Sequence, residues 1–296
     1  MEQLIKWKYL KKCLGLLGTL VILSLLFNKI GFEKILKEMT RVNILSLVFA
    51  FILYNLSQLL SSLRLYTLIN CSHKLGRFFV AKVYYRSMFF SVLLPIGVGA
   101  DAYKIWLFAK RLGLGLKHSS FIVIWERVIG VLALFSVLAL LWNLEWHIND
   151  FVSLPLSLFI LFLSISAFYL FLPKFIYGID LRSNVNAYIT SIGIHLCQIS
   201  CFAVLASSLL DSGELVKAVI LFLLSSLASF VPISFSGLGA REAVFVMGAK
   251  YLSLNVEALV AASLLFQIIH FSTAAIGSFV KLEIPEKYIS LELEKG

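Results

Sequence analysis

The chain alternates long apolar runs with short polar connections, so the runs are placed first. Crossing about 30 Å of hydrocarbon at about 1.5 Å per residue takes about 20 residues. Runs of about that length at 13–30, 43–65, 119–142, 151–172, 186–210 and 256–280 predict about six transmembrane helices. Between the first two, Phe32, Ile35, Leu36 and Met39 share one helical face of 32–41 while charges take the other, the pattern of a short amphipathic surface helix.

Two further apolar stretches, 78–110 and 215–251, are interrupted, and the interruptions echo each other. Each reads apolar run, Pro-Ile, Gly-x-Gly-Ala, then charge. The first is Pro95, Ile96, Gly97, Val98, Gly99, Ala100 and Asp101. The second is Pro232, Ile233, Ser234, Phe235, Ser236, Gly237, Leu238, Gly239, Ala240, Arg241 and Glu242. Proline and glycine break a helix. Backbone freed inside hydrocarbon costs several kcal/mol per unsatisfied group, so such a break survives only against protein or a wet cavity. The echo predicts two half-helix hairpins and marks the breaks as the working part.

Basic residues set how the stretches sit. Lys74, Arg77, Lys110, Arg111 and Lys117 flank the first on both sides, so the positive-inside rule places both its ends in the cytoplasm. Glu145 and Asp150, without Lys or Arg nearby, put the next loop outside, and Lys174 and Arg182 bring the following one back. Lys281 and Lys287 reach the cytoplasm only if 215–251 begins and ends outside. The predicted fold is an all-α polytopic membrane protein. It has about six full spans plus two oppositely oriented re-entrant half-helix hairpins in an inverted repeat, a recurrent transporter design. The whole of 1–296 reads as a single integral membrane domain, with repeat A at about 43–142 (hairpin 78–114) and repeat B at about 186–281 (hairpin 215–251). A rival in which both stretches simply cross fits the periodicity but strands Lys110, Arg111 and Lys117 outside.

A hydrophobic content of 60%, only 14% charged residues and a mean hydropathy of +0.94 exclude an ordinary soluble domain. The net charge of +10 sits mostly between apolar runs, where it orients the chain and meets anionic lipid; nucleic acid is not an expected partner. Lys6, Lys8, Lys11 and Lys12 precede the first run and no small-x-small cleavage site follows, which predicts an uncleaved span with a cytoplasmic N-terminus. The C-terminus is also placed in the cytoplasm, and the membrane is taken to be the cytoplasmic one. Cys13, Cys71, Cys197 and Cys201 lack metal-site spacing and read as reduced packing residues.

Arg241 and Glu242 open a helix just after Gly237 and Gly239. Free N–H groups, a positive dipole end, close backbone approach at the glycines and a guanidinium make a phosphate cradle. Ser234 and Ser236 add hydroxyls. Asp101 and Lys104 hold the matching place after Gly97 and Gly99, and their i, i+3 spacing equally allows a local salt bridge. Glu126 and Arg127, adjacent in a span, point about 100° apart and must find different partners. The pairings expected are Arg127 with Asp101 or Glu242, and Glu126 with Arg241. Lys82, Arg86 and Arg64 either draw in a headgroup or snorkel to the interface, and His195 and His270 read as interhelical hydrogen-bonding residues. No HExxH, GxSxG, P-loop or dinucleotide fingerprint occurs, so no enzyme, cofactor or metal is expected.

Pro95 through Gly99, Ala100, Asp101 and Lys104, then Glu126-Arg127, then Pro232-x-Ser234 through Gly237-x-Gly239-x-Arg241-Glu242 resemble the flippase-like membrane region of lysylphosphatidylglycerol synthases. The similarity runs from about residue 14 to 281. Ala100 departs from it, where a second glycine is usual, as does Lys104, where Arg is usual. The family's soluble aminoacyl-transferase domain has no counterpart in this sequence. The resemblance implies movement of a modified or polyprenyl-linked lipid headgroup across the bilayer, without aminoacylation by this chain. The residues themselves point to the same class, because a polar cradle at the midplane suits an anionic headgroup whose tails stay in lipid. The alternatives are a non-transporting subunit that presents lipid to a separate glycosyl- or aminoacyl-transferase, and an intramembrane transferase with Asp101 as base. The missing second carboxylate weighs against the transferase.

Overall fold

The computed structural model describes residues 31–70, 75–93, 98–146, 160–161, 164–165, 180–229 and 237–283. Among them every regular element is helical. Helix α1 covers Phe32–Thr40, α2 Ile44–Asn70, α3 Arg77–Leu93, α4 Gly99–Trp106, α5 Leu116–Trp146 and α6 Leu181–Ala206. Helix α7 covers Leu215–Ala228, α8 Ala240–Tyr251 and α9 Val256–Ser278. Four of these, α2, α5, α6 and α9, are long and apolar enough to cross a membrane. The shortest of the four, at 23 residues, spans about 34 Å. They coincide with the spans expected at 43–65, 119–142, 186–210 and 256–280; that at 13–30, and that at 151–172 apart from 160–161 and 164–165, lie outside the described residues. The protein is a multi-pass helical membrane protein.

Why these helices sit in lipid is legible on α2. Asn43 starts it, its Oδ1 accepting the Leu45 N–H at 3.1 Å and so satisfying one of the first turn's free donors. Leu45, Phe49, Ile52, Leu56, Leu59 and Leu63 are exposed, while Tyr54, Ser57, Gln58, Ser61 and Ser62 are buried. Polar groups inside and apolar groups outside is the reverse of a soluble helix and matches an apolar solvent, in which hydroxyls and amides must turn inward to find partners. The amphipathic α1 precedes it, with Ile35 buried and Phe32 and Leu36 exposed.

The chain packs as two compact units. One comprises Met1–Tyr54, Ser91–Gly99 and Cys197–Thr273. Within it α7 and α8 lie side by side: Gly237 sits against Ser229, Arg241 bonds Ser226, and Gly248 sits against Leu221. Residue numbers rise along one arm as they fall along the other, so α7 and α8 are antiparallel; residues 230–236 lie outside the described residues. The Phe202 ring of α6 stacks on Phe222 at 4.6 Å and on Phe245 at 5.5 Å, and Phe222 meets Phe266 of α9 edge-on at 4.9 Å. These rings fasten the pair to its neighbours.

The other unit comprises Asn55–Phe90, Ala100–Leu196 and Ala274–Gly296. Phe90 of α3 stacks on Tyr103 of α4 at 4.3 Å. Helix α4 runs straight into a π-helical turn, Leu107–Arg111, closed by the Leu112 N–H donating to the Leu107 carbonyl at 3.1 Å. Leu107 and Phe108 from that turn join Leu65, Val80, Val83, Ile122 and Ile129 in the unit's core. Polar clasps supplement the apolar contacts: the Trp125 indole N–H donates to Asn184 Oδ1 at 2.7 Å, and Ser136 and Tyr188 hydroxyls meet at 2.6 Å.

The sequence of helix, break, short helix and long helix occurs twice, as α3, α4, α5 and as α7, α8, α9.

Candidate functional site

In the unit containing α4 and α5, five charged side chains form one alternating chain. Arg64 Nη2 donates to Glu126 Oε1 at 3.0 Å, and Lys104 Nζ donates to Glu126 Oε2 at 2.8 Å. Lys104 also lies 3.3 Å from Asp101 Oδ1, whose other oxygen pairs with Arg127. Each carboxylate thus serves two cations, leaving one positive charge in excess. Such sharing is what makes ions tolerable where water is scarce, since an unpaired buried charge costs several kcal/mol. The side chains of Arg64, Asp101, Lys104 and Glu126 are at most 12% exposed, but that of Arg127 is 39% exposed, so the network is closed at one end and open at the other.

Helix register explains the chain. Asp101 and Lys104 face the same side of α4 at i, i+3, and Glu126 and Arg127 diverge on α5, one reaching Lys104 and the other Asp101. Arg64 is the only charged residue in the 27 of α2 and comes in beside Ser191, to whose Oγ its Nη1 donates at 3.1 Å. A side chain on Gly130 would press on that same Nη1, with the Cβ at 3.0 Å.

In the other unit Gly237 and Gly239 adopt φ of 86° and 89°, a left-handed backbone that a side chain would strain, and so turn the chain into α8. Glu242, 1% exposed, reaches back to accept the Gly239 N–H at 2.7 Å through Oε2, and its Oε1 accepts the Ser263 hydroxyl at 2.8 Å. Both oxygens are occupied. Arg241, partly buried, donates to Ser226 Oγ at 2.9 Å, and its guanidinium lies 5.2 Å from the Phe222 ring centre and 5.0 Å from that of Phe266. Among the described residues no carboxylate lies within ion-pair distance of it.

Of the residues singled out from sequence, Asp101, Lys104, Glu126 and Arg127 come together, as do Gly237, Gly239, Arg241 and Glu242. Gly99 is the buried first residue of α4. Gly97, Ser234 and Ser236 lie outside the described residues. The expected Arg127–Asp101 pair forms, while Glu126 is taken by Arg64 and Lys104. Arg64 is thus an internal partner, not a snorkelling residue. Arg86 donates to the Val280 carbonyl at 2.6 Å, and Lys82 is exposed. His195 meets the Gly130 carbonyl at 2.9 Å and His270 the Tyr54 hydroxyl at 2.6 Å, as interhelical bonds. Sequence reasoning missed Ser226, Ser263, Phe222 and Phe266; Ser226 is half of a Ser-Ser pair and Ser263 a lone hydroxyl, each in an apolar run, and the rings carried no signal of their own. Among the described residues no group of three His, Cys, Asp or Glu side chains gathers that could hold a metal.

Comparison with curated proteins returns no match. The sequence does match the family described as the lysylphosphatidylglycerol synthase TM region over residues 13–185 and 176–277. With that match covering most of its length, the chain belongs to the lysylphosphatidylglycerol synthase TM region family.

Proposed function

We propose that this protein is a lipid flippase or scramblase. It moves an anionic or modified phospholipid, or a polyprenyl-phosphate-linked headgroup, across the cytoplasmic membrane, and it does so without chemical catalysis. The observation that carries the reading is Arg241. A partly buried guanidinium whose described contacts are a hydroxyl and two aromatic rings, with the Glu242 carboxylate near enough to attract it but outside ion-pair distance, is an incompletely compensated charge in an apolar setting, and such a charge calls for an anion. In this reading 78–114 and 215–251 are re-entrant hairpins entering from opposite faces, the two halves form an inverted repeat, and both termini are cytoplasmic. The repeated order of helix, break, short helix and long helix supports it.

The test is reconstitution of the purified chain in liposomes carrying labelled anionic lipid. Transport by the wild type and its loss in Arg241→Ala, with the variant monodisperse and helical, is the expected result. Transport unchanged in the variant sinks the assignment. The family's description as the membrane region of a synthase favours one second reading, in which the chain presents lipid to a separate transferase. A stable transferase partner, together with no transport by the pure wild type, would select it.

A further inference from the structure

The two halves place different chemistry at matching positions. Asp101 and Arg241 each follow Gly-x-Gly-Ala, and α5 and α9 begin equally far beyond them, at Leu116 and Val256. Counting from those starts, Glu126 on α5 corresponds to Phe266 on α9. Glu126 neutralises its surroundings by accepting from Arg64 and Lys104. Phe266, 4% exposed, offers Arg241 a ring face instead.

That exchange decides what Arg241 can bind. A cation over an aromatic face gains about 0.5–2 kcal/mol, well below the several kcal/mol that burying an unpaired charge costs. The rings of Phe222 and Phe266 therefore hold the planar guanidinium in place without cancelling its charge. Glu242, the neighbouring acid, is hydrogen-bonded by Gly239 and Ser263 and attracts Arg241 only through space, without an ion-pair contact. Among the described residues Arg241 uses one hydrogen bond, to Ser226. The rest of its rigid fork has no hydrogen-bond partner among the described residues and suits the paired oxygens of a phosphate.

We propose that Phe266, with Phe222 as its companion, is the specificity-determining residue of the Arg241 site. It stands where an internal counter-ion would otherwise be, so the guanidinium is kept for a phosphate-bearing anion. The inference rests on the lipid reading above and adds to it the reason the site selects an anion.

The experiment is native mass spectrometry of the full chain in detergent after exposure to equal amounts of phosphatidylglycerol and phosphatidylethanolamine. Wild type, Arg241→Ala, Phe266→Glu and Phe266→Gln are run side by side with their thermal unfolding. The wild type is expected to retain phosphatidylglycerol preferentially. Phe266→Glu, whose new carboxylate pairs with Arg241, is expected to lose that preference by about ten-fold or more. It is also expected to unfold at a higher temperature than Phe266→Gln, a difference that vanishes when Arg241→Ala is added to both. Retained preference in Phe266→Glu, or no stability gain over Phe266→Gln, overturns the inference. If Arg241→Ala loses the preference while Phe266→Glu keeps it, only this inference falls; if Arg241→Ala keeps it, the lipid reading falls as well. Addition of millimolar inorganic phosphate separates the sources. Displacement of the lipid assigns the site to the free anion and persistence assigns it to a headgroup, and either result leaves Phe266 in its role.

Discussion

Replacing Glu126 by Gln removes one charge from the middle of an alternating chain, and the structure says which neighbour suffers. At an effective dielectric of about 20, contacts of 2.8 Å to Lys104 and 3.0 Å to Arg64 are each worth about 6 kcal/mol of attraction before desolvation. Burying the ions consumes most of that, so the intact network adds little net stability. Its disruption is another matter. Lys104 keeps Asp101 at 3.3 Å, but Arg64 is left with neutral acceptors, the Ser191 hydroxyl and the substituted amide oxygen, and no counter-ion among the described residues. A cation stranded with its side chain 12% exposed costs about 3–5 kcal/mol, on the order of 10 °C in unfolding temperature for a chain of this size. Lys104→Met should cost less, because Glu126 then keeps Arg64 and Asp101 keeps Arg127. The assay is thermal unfolding of detergent-purified protein in a double-mutant cycle with Arg64→Met, which should recover most of the Glu126→Gln loss. A stability for Glu126→Gln within about 1 kcal/mol of wild type, the range of an exposed ion pair, would refute the reasoning.

Three further predictions test packing and a buried hydrogen bond. A Cβ on Gly277 of α9 would fall on the Tyr85 backbone carbonyl of α3, with no side chain free to yield, so Gly277→Ala should cost at least about 1–3 kcal/mol. Gly213→Ala, with nothing within 4 Å of its Cβ, should leave the unfolding temperature unchanged. Trp125→Phe removes the donor to buried Asn184 and should cost about 1–2 kcal/mol by the same measurement, with Asn184→Ala adding little in that background.

Hydropathy made the spans readable because crossing a bilayer constrains length and polarity together. It did not make their ends readable. The apolar run expected to stop at residue 65 continues as helix to Asn70, since the backbone has no reason to unwind where hydropathy falls. Nor did it foresee the π-helical turn at Leu107–Arg111, whose Leu, Phe, Ala, Lys and Arg are all acceptable in an ordinary helix.

The site divides along the same physical line. Charges spaced on one helix, such as Asp101 and Lys104, declare their contact, because i, i+3 geometry is local. Charges on different helices do not: the pairing of Glu126 with Arg241 expected from sequence gives way to Arg64 and Lys104. Arg64 offered a clue, since a lone cation in an apolar helix must find a counter-ion or reach the interface; its place near the end of α2 left both open. The rings around Arg241 offered none. In a soluble protein the inward face of a helix is marked by apolar residues against a polar surface, but in lipid the outer face is apolar too, so an inward-facing ring stands out against nothing. Phe222 and Phe266 therefore read like any lipid-facing phenylalanine, and what distinguishes them, a guanidinium held against their faces, exists only once α7, α8 and α9 are packed. The information missing from the sequence is where a charge lacks its opposite, and in a membrane protein that is where function is to be sought.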